Sequence, residues 1–286
     1  MREGKKIGCI IVLYQPNWEL TKKTLESICA QVDEVFISDN STNIQNIDLS
    51  YYKNVTYHFI GENKGIATAQ NIGIDYFKQN KYDFIIFFDQ DSIPSIDLVE
   101  HLYNKYLFLH KEGIKVGGIA PRPYNRNENK TYKGTIKKGK EIYPNITEVT
   151  EIISSASFIP IQNFEIVGNM EEDLFIDAVD FEWCWRATYK GDFRFFICEK
   201  ILLSHQLGEK DLSVGIKKIA IHSPFRQYYR YRNFFKLLKR NYVPLYWKIS
   251  NLIKYTFKYF YLPLCVSPRK EYFYKINKGI YDGLLK

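Results

Sequence analysis

Apolar runs of strand length alternate with segments of helical spacing over the first 90 residues of the chain. Ile7–Leu13 is a continuous apolar run, and helical spacing follows at Trp18–Ile28. The pattern predicts further strands at residues 34–38, 55–60 and 83–88, and a second helix at Ile66–Gln79. Because alternating strands and helices imply right-handed crossovers, the sequence predicts an α/β fold with a mainly parallel sheet flanked by helices.

Carboxylates follow the last of these predicted strands. Asp89 and Asp91 come at its end with one residue between them. Ligands of open α/β sheets collect outside the carboxyl ends of the strands, where two oxygen donors can share Mg²⁺ or Mn²⁺ with a substrate phosphate. The alternative is that Asp-x-Asp only opens a turn before Pro94. The pair is therefore a candidate site for a divalent cation and a phosphorylated substrate.

A second acidic cluster lies at the start of a helix that the pattern extends to Tyr189. Asp177, Asp180 and Glu182 are flanked by aromatic residues, which indicates an acidic pocket and a candidate general base. Helix capping is the alternative, but it accounts for only one carboxylate. His205 follows two strand-like segments and could complete the coordination of a metal, although a lone histidine is more often structural.

Several common classes of site lack their sequence signals. The neighbourhood of Gly65 has neither the spacing of a phosphate loop nor that of a dinucleotide-binding fingerprint. The five cysteines are scattered and include no Cys-x-x-Cys, which argues against a disulfide framework or a zinc site and favours a reducing compartment. The first residues do not form a secretory signal, so a cytoplasmic location is expected.

Charge is distributed unevenly along the chain. The net charge is +8, yet residues 217–286 carry sixteen basic residues against Glu271 and Asp282, a balance of +14, which leaves −6 for the first 216 residues. Such segregation usually indicates an anionic partner, either a membrane surface or a nucleic acid. The acidic body of the chain argues against nucleic acid.

An amphipathic helix is predicted within this basic region, at residues 245–260. Its apolar face contains Leu245, Ile249, Leu252, Ile253, Phe257 and Phe260, and its opposite face contains Lys248, Asn251, Lys254 and Lys258. No stretch reaches the roughly 18 apolar residues that a bilayer crossing needs, so a helix lying in the membrane interface is favoured over one that spans the membrane. The alternative is a helix packed on the rest of the protein.

Together these segments resemble the inverting family 2 glycosyltransferases of the GT-A fold, particularly bacterial rhamnosyltransferases. The resemblance covers residues 7–232. The matching motifs are Val12-Leu-Tyr-Gln-Pro16, Ser38-Asp-Asn-Ser41, Glu62 to Ile74, Phe88-Asp-Gln-Asp-Ser92, Phe175 to Arg186 and Ser204-His205. The family usually has Gly-Gly-Phe-Asp-Glu before the acidic cluster, where this chain has Gly168-Asn-Met-Glu-Glu172.

The resemblance implies a role for each matching position. Asp180 would be the general base, and a Mg²⁺ or Mn²⁺ cofactor would be bound by Asp91, His205 and Asp89. The positions implied for the donor nucleotide are Tyr14, Asp39, Asn63, Gly65, Asp89 and Gln90. Candidate acceptor or sugar contacts are Ser157, Asp177, Glu182 and Trp183. A GT-A catalytic domain is expected at residues 1–215, and a basic, aromatic helical region at 216–286.

The expected reaction is transfer of L-rhamnose from dTDP-β-L-rhamnose to a lipid-linked saccharide in cell-surface polysaccharide synthesis. The enzyme is expected to be peripheral on the inner face of the cell membrane. A galactofuranosyl or other hexosyl transferase that uses a UDP-sugar is the closest alternative. Two alternatives come from other classes: a haloacid-dehalogenase-type phosphatase with Asp89 as nucleophile, and a basic module that binds nucleic acid.

Overall fold

The computed structural model describes residues 4–44, 47–125, 130–131, 139–204, 211–214, 217–220 and 222–285. His205, the third predicted metal ligand, lies outside these residues. The lysine-rich segment at residues 133–140, whose sequence predicts a polar loop or hairpin insertion, also lies mostly outside them.

The first part of the chain alternates strands with helices as predicted. Its elements are β1 (Ile7–Leu13), α1 (Trp18–Ile28), β2 (Glu34–Asp39), β3 (Val55–Phe59), α2 (Ile66–Gln79), β4 (Phe84–Asp89) and α3 (Leu98–Lys111). Local signals explain several boundaries. The Asn17 side chain accepts a hydrogen bond from the Leu20 amide at the start of α1, and Gly65, with a φ of 87°, precedes α2.

The second part carries shorter strands and the C-terminal helices. Its strands are β5 (Val116–Asn125), β6 (Lys130–Thr131), β7 (Lys140–Tyr143), β8 (Ile146–Val149), β9 (Phe158–Pro160), β10 (Arg194–Ser204), β11 (Asp211–Val214) and β12 (Lys217–Ala220). Its helices are α4 (Asn163–Val167), α5 (Val179–Gly191), α6 (Pro224–Leu238), α7 (Leu245–Cys265) and α8 (Arg269–Leu285). The two strand-like segments predicted before His205 are one strand, β10, whose register shifts between Cys198 and Leu202.

One large sheet organises the described residues. Its order is β3-β2-β1-β4-β9-β5-β10-β8-β7, with β6 paired to β5. The strands β3, β2, β1 and β4 are mutually parallel, whereas β9 is antiparallel to β4 and β5. The four parallel strands are therefore neighbours in the sheet. Their carboxyl ends lie side by side along the same edge.

Both faces of strands β1, β2 and β4 are mostly buried, which explains their apolar runs in the sequence. Side chains of neighbouring residues in one strand lie in different hydrophobic clusters, one on each face of the sheet. Ile10 and Phe87 pack with α2 and α5, and Ile11 and Phe88 pack with α1 and α3. All four side chains are buried.

The C-terminal helices pack on the preceding part of the chain through an aromatic contact. Trp247 of α7 meets Trp185 of α5 with ring centroids 5.1 Å apart and an interplanar angle of 65°. Both side chains belong to the same hydrophobic cluster as Ile10 and Phe87. The predicted division at residues 215 and 216 stays a prediction, and the two parts share a core.

Helix α7 does not pack on the protein through its apolar face. Its inward face contains Trp247, Asn251, Tyr255, Lys258 and Leu262, all buried. The six apolar residues of the predicted face are instead between 49% and 70% exposed. The face of α7 that carries Asn251 and Lys258 thus packs on the protein, and the apolar face points outward. No helix among the described residues is long and apolar enough to cross a membrane.

Truncation of Trp247 tests this orientation. Trp247→Ala should lower the free energy of unfolding by about 3–5 kcal/mol, because the indole is buried between α5 and α6. The matched control is Phe260→Ala on the outward face of the same helix, which should change the free energy by less than about 0.5 kcal/mol. Urea denaturation measures both. Equal effects would contradict the orientation of α7.

Candidate active site

Strand register brings the predicted donor-side residues to one edge of the sheet. Val12 of β1 pairs with Asp89 of β4, and Leu13 pairs with Asp39 of β2. Tyr14, which follows β1, therefore lies at the same edge as the two carboxylates. This is the edge at which open α/β sheets bind ligands.

A side-chain hydrogen bond fixes the turn after β1 to the turn after β4. The Tyr14 amide donates to Gln90 Oε1 over 2.9 Å, and Gln90 Nε2 donates to the Tyr14 carbonyl over 3.4 Å. The Tyr14 side chain is 43% exposed and is accessible to a ligand. Gln90, predicted to contact the nucleotide, positions Tyr14 in this structure.

Asp39 is the most enclosed of the donor-side residues, with no exposed side-chain surface. Its Oδ2 accepts a hydrogen bond from the Tyr57 hydroxyl over 2.5 Å, and its Oδ1 accepts one from the Ser41 amide over 2.9 Å. Ser41 Oγ in turn accepts from the Gln15 amide over 2.9 Å. Since both Asp39 oxygens accept from the protein here, contact with a nucleotide base stays a prediction.

Two asparagines shape the loop that leads into α2. Asn40 Nδ2 donates to Asn63 Oδ1 over 2.9 Å, and the Lys64 amide donates to Asn40 Oδ1 over 2.8 Å. Asn63 Oδ1 also accepts from the Gly65 amide over 3.1 Å. The end of β2 and the predicted nucleoside loop thus form one hydrogen-bonded unit, in which Asn40 has a role that pattern alone did not predict.

Gly65 lies against the loop that precedes Asp180. The Ile66 amide donates to the Phe175 carbonyl over 2.8 Å, and a Cβ on Gly65 would lie 2.6 Å from that carbonyl oxygen. The Phe175 ring stacks on Tyr229 of α6, with centroids 4.4 Å apart. Phe175 therefore connects the donor-side loop to the C-terminal helices.

Residues 154–157 connect Asp180 with the end of β4. The Ala156 amide donates to the Phe87 carbonyl over 2.6 Å, and Ser155 Oγ lies 2.8 Å from Ser92 Oγ. The Ser154 amide donates to Asp180 Oδ2 over 3.1 Å. These contacts join the segment that holds Asp180 to the end of β4 and the Asp-x-Asp turn.

The environment of Asp180 suits a carboxylate that accepts a proton. The pKa of Asp180 is raised to about 6, mainly by burial and to a smaller extent by the charge of Asp89. Hydrogen bonds from the amides of Phe181 and Ser154 act in the opposite direction. The side chain keeps some accessible surface, so a substrate can reach it. A carboxyl with this pKa is largely ionised at neutral pH and is still basic enough for proton transfer.

A family model described as Glycosyl transferase family 2 matches residues 9–162, more than half of the chain. The chain belongs to glycosyltransferase family 2. It is also 34% identical over 293 residues to "dTDP-rhamnosyl transferase RfbF" of Shigella flexneri, an alignment that covers 98% of this chain and 96% of that protein. The chain is thus a glycosyltransferase, and the phosphatase and nucleic-acid alternatives lose their support.

Solved structures show the fold of this glycosyltransferase. S. aureus TarS 1–349 in complex with UDP-GlcNAc aligns with a TM-score of 0.60 and 16% identity over 96% of this chain and 80% of that one. Another TarS chain aligns with a TM-score of 0.59 and 16% identity over 92% of this chain, which spans 46% of its length. GalNAc-T7 with UDP, GalNAc and Mn²⁺ aligns with a TM-score of 0.56 and 12% identity over 70% of this chain and 44% of that one. The predicted GT-A fold is confirmed.

The Asp-x-Asp turn of the glycosyltransferase fits a divalent cation. Asp89 and Asp91 are partly exposed carboxylates at the ligand-binding edge of the sheet. Within the described ranges, no three His, Cys, Asp or Glu side chains form a metal-binding group. Two carboxylates suffice for this class of site, because Mg²⁺ is commonly bound by one or two carboxylates together with water and substrate phosphates.

The four predicted acceptor or sugar contacts have other partners in the structure. Glu182 is fully buried and accepts hydrogen bonds from Arg186, Arg240 and Tyr242. Trp183 and Ser157 are 1% and 2% exposed. We therefore revise the prediction for these three, because groups inside the core cannot touch a saccharide.

Asp177 keeps some exposed surface but is paired. Its carboxylate accepts a forked hydrogen bond from Arg226, with Nε 3.1 Å from Oδ2 and Nη2 3.1 Å from Oδ1. A contact with the acceptor would therefore involve the ion pair rather than a free carboxylate.

Backbone strain is concentrated around this site. Eight non-glycine residues among those described have positive φ, and five of them border the site. They are Gln15, Ala156, Phe175, Asp177 and Ala178. Such conformations cost about 1–3 kcal/mol each and persist where the surroundings determine them. The acidic loop before α5 is thus a shaped part of the site, which periodicity in the sequence cannot indicate.

Substitution of Gly65 tests the close contact with Phe175. Gly65→Ala should lower the free energy of unfolding by roughly 2–4 kcal/mol. The positive φ of Gly65 is unfavourable for alanine, and the added Cβ would collide with the Phe175 carbonyl oxygen. Gly61→Ala in the same loop is the control, because Gly61 shares the φ of 87° but has 3.8 Å to its nearest neighbour. Denaturation curves should show the smaller loss for Gly61→Ala. The reverse order would contradict the proposed packing of the loop.

Proposed function

We propose that this family 2 glycosyltransferase transfers L-rhamnose from dTDP-β-L-rhamnose to a saccharide carried on a polyprenyl diphosphate, with inversion at the anomeric carbon. The observation that carries the donor assignment is the 34% identity to a dTDP-rhamnosyl transferase along 98% of the chain. An alignment of this length spans both the residues on the nucleotide side of the site and the acidic loop before α5.

Asp180 acts as the general base in this proposal. A carboxylate on the face opposite the leaving group takes the proton of the acceptor hydroxyl as that oxygen attacks the anomeric carbon. The support is positional and electrostatic. The Ser154 amide donates to Asp180 Oδ2 from a segment that is bonded to the end of β4, and burial raises the pKa of Asp180 to about 6. Such a base contributes about 10² to 10⁴ in rate.

Asp91, with Asp89 and His205, would hold Mg²⁺ or Mn²⁺ beside the donor diphosphate. The cation would supply a Lewis acid that offsets the charge on the leaving group. Tyr14, Asn63 and Gly65 bind and orient the nucleoside. Asn40 and Gln90 keep those three positions in place through the hydrogen bonds to Asn63 and Tyr14.

The proposal places the enzyme at the inner face of the membrane, where a lipid-linked acceptor is found. Support comes from the outward apolar face of α7, which we call the α7 ridge: Leu245, Ile249, Leu252, Ile253, Phe257 and Phe260. Six large apolar side chains on one exposed helix face are uncommon on a monomer surface and suit burial at the boundary of headgroups and acyl chains.

A panel of sugar nucleotides tests the reaction. Purified enzyme with Mg²⁺ or Mn²⁺ should hydrolyse dTDP-rhamnose slowly and transfer rhamnose to lipid-linked saccharides. Asp180→Asn should reduce transfer about 10² to 10⁴-fold while dTDP affinity stays nearly unchanged. In the wild type, kcat/KM should fall as the pH drops below about 6, because Asp180 then becomes protonated and can no longer accept a proton.

The matched control is Asp192→Asn, which removes an exposed carboxylate just after the same helix and should leave the rate and pH profile unchanged. Asn tolerates the left-handed backbone of this position. Faster hydrolysis of a UDP-sugar than of dTDP-rhamnose would replace the donor assignment, and an active Asp180→Asn variant would reject the base.

Vesicle binding tests the membrane location. The wild type should sediment with vesicles of phosphatidylglycerol and phosphatidylethanolamine. Ile253→Ser combined with Phe257→Ser should weaken that binding by about tenfold or more, because two ridge side chains no longer enter the interface. Ile96→Ser, a change at an exposed apolar residue remote in sequence from α7, should bind as the wild type does. Failure to bind vesicles, with ridge-dependent dimers in solution, would instead identify the ridge as a protein interface.

A further inference from the structure

Helices α6 and α7 carry a group of polar and cationic side chains that the proposed reaction does not use. We call it the α6–α7 cation cluster: Gln227 and Arg230 of α6, and Lys254 and Lys258 of α7. Spacings of three and four residues place each pair on one face of its helix. Tyr255 lies between the two helices, with the Arg230 guanidinium 5.9 Å from its ring centroid.

Two members of this cluster, Gln227 and Arg230, have buried polar atoms without hydrogen-bond partners among the described residues. Gln227 is fully buried, and neither its Oε1 nor its Nε2 has a hydrogen-bond partner within the described part of the chain. The same holds there for Nε and Nη1 of Arg230. Buried polar groups without hydrogen bonds cost roughly 1–3 kcal/mol each, and more when charged. Such a concentration in one place indicates a missing ligand.

Charge in the cluster is also poorly balanced. Lys258 is 9% exposed, and burial, followed by the charges of Arg230 and Lys254, lowers the pKa of Lys258 to about 8. The carboxylate of Asp177 opposes this effect, yet it is already engaged in the forked pair with Arg226. Arg230 and Lys254 thus add positive charge beside Lys258, where an anion would relieve the repulsion and accept hydrogen bonds from the unpartnered N–H groups of Gln227 and Arg230.

The position of the cluster indicates which anion it suits. Ile253 and Phe257 of the α7 ridge are each followed along the helix by a lysine. Lys254 is exposed and Lys258 is buried, so acyl-compatible side chains on α7 lie next to one exposed and one buried cation. Asp177, whose charge acts on Lys258, is three residues from Asp180, a separation of at most about 11 Å along the chain. An anion here would lie near both a membrane surface and the base.

We propose that the α6–α7 cation cluster binds the diphosphate of the acceptor lipid, with the prenyl chain along the α7 ridge and the saccharide directed toward Asp180. The inference rests on the proposed function and adds a residue-level acceptor site to it. Arg230 offers forked donors to phosphate oxygens, the two lysines offer mobile point charges, and Gln227 offers an amide donor. The donor diphosphate belongs on another element, beside Asp89 and Asp91.

Binding of farnesyl diphosphate, a short prenyl diphosphate, tests the proposal without any reaction. The key variant is Lys254→Met with Lys258→Met, which keeps the length of the side chains and removes their charge. Calorimetry should show farnesyl diphosphate binding at least about tenfold weaker than in the wild type, because two charge-assisted contacts are lost. The affinity for dTDP should be unchanged, and farnesol should bind neither protein measurably.

The control is Lys270→Met with Lys275→Met, which removes two lysines from α8 and should not affect either ligand. Thermal unfolding separates binding from folding: replacement by Met of Lys258, which is buried, and of Lys254, whose charge repels it, should leave the melting temperature unchanged or raised. A cluster that only supports the fold would show the opposite, with a lower melting temperature and unchanged farnesyl diphosphate binding.

Other outcomes are equally decisive. Equal weakening of dTDP and farnesyl diphosphate would assign the cluster to the donor, and wild-type enzyme that fails to bind farnesyl diphosphate would overturn the site. Neither result affects dTDP-rhamnose hydrolysis, which tests the proposed reaction separately. Conversely, farnesyl diphosphate binding by an enzyme that hydrolyses no dTDP-sugar would reject the proposed donor and keep the acceptor site.

Discussion

The hydrogen bond from the Ser154 amide to Asp180 is the contact on which the site depends. The residues that follow Ser154 are fixed to the end of β4 by the bond between Ala156 and Phe87 and by the contact of Ser155 with Ser92. A carboxylate from the second half of the chain is thereby placed beside one from the first half. The same enclosure that positions Asp180 also raises its pKa to about 6, so geometry and basicity have one physical cause.

The parallel half of the sheet could be predicted almost to the residue, and the site only in outline. β1 and α2 have the predicted bounds because buried strands read as apolar runs and a helix repeats at its own period. Contacts such as Tyr57 with Asp39, or Asn40 with Asn63, join residues 18 and 23 positions apart. No local period encodes them, since they arise from which strands become neighbours.

The acidic loop before α5 is a second place where the sequence could not predict the arrangement of side chains. Three carboxylates near one helix start predicted a single pocket, yet they have three different environments. Glu182 lies inside the core with Arg186 and Arg240, Asp177 pairs with Arg226, and Asp180 remains accessible. Adjacent positions on a helix point in different directions, and the left-handed backbone at Asp177 and Ala178 turns the chain just before α5. The sequence identified the three carboxylates, whereas the direction of the backbone determines which environment each of them has.

The amphipathic pattern of helix α7 is compatible with two orientations of the helix on the protein. The spacing established that its two faces differ, but burial of the apolar face inside the protein was as compatible with it as burial in a membrane. The choice is made by Trp247 and Tyr255, which are large enough to fill the space against α5 and α6 and therefore bring Asn251 and Lys258 inward with them. Burial of Lys258 costs free energy that aromatic packing offsets. The same rotation of the helix leaves the apolar ridge outside and Lys258 inside.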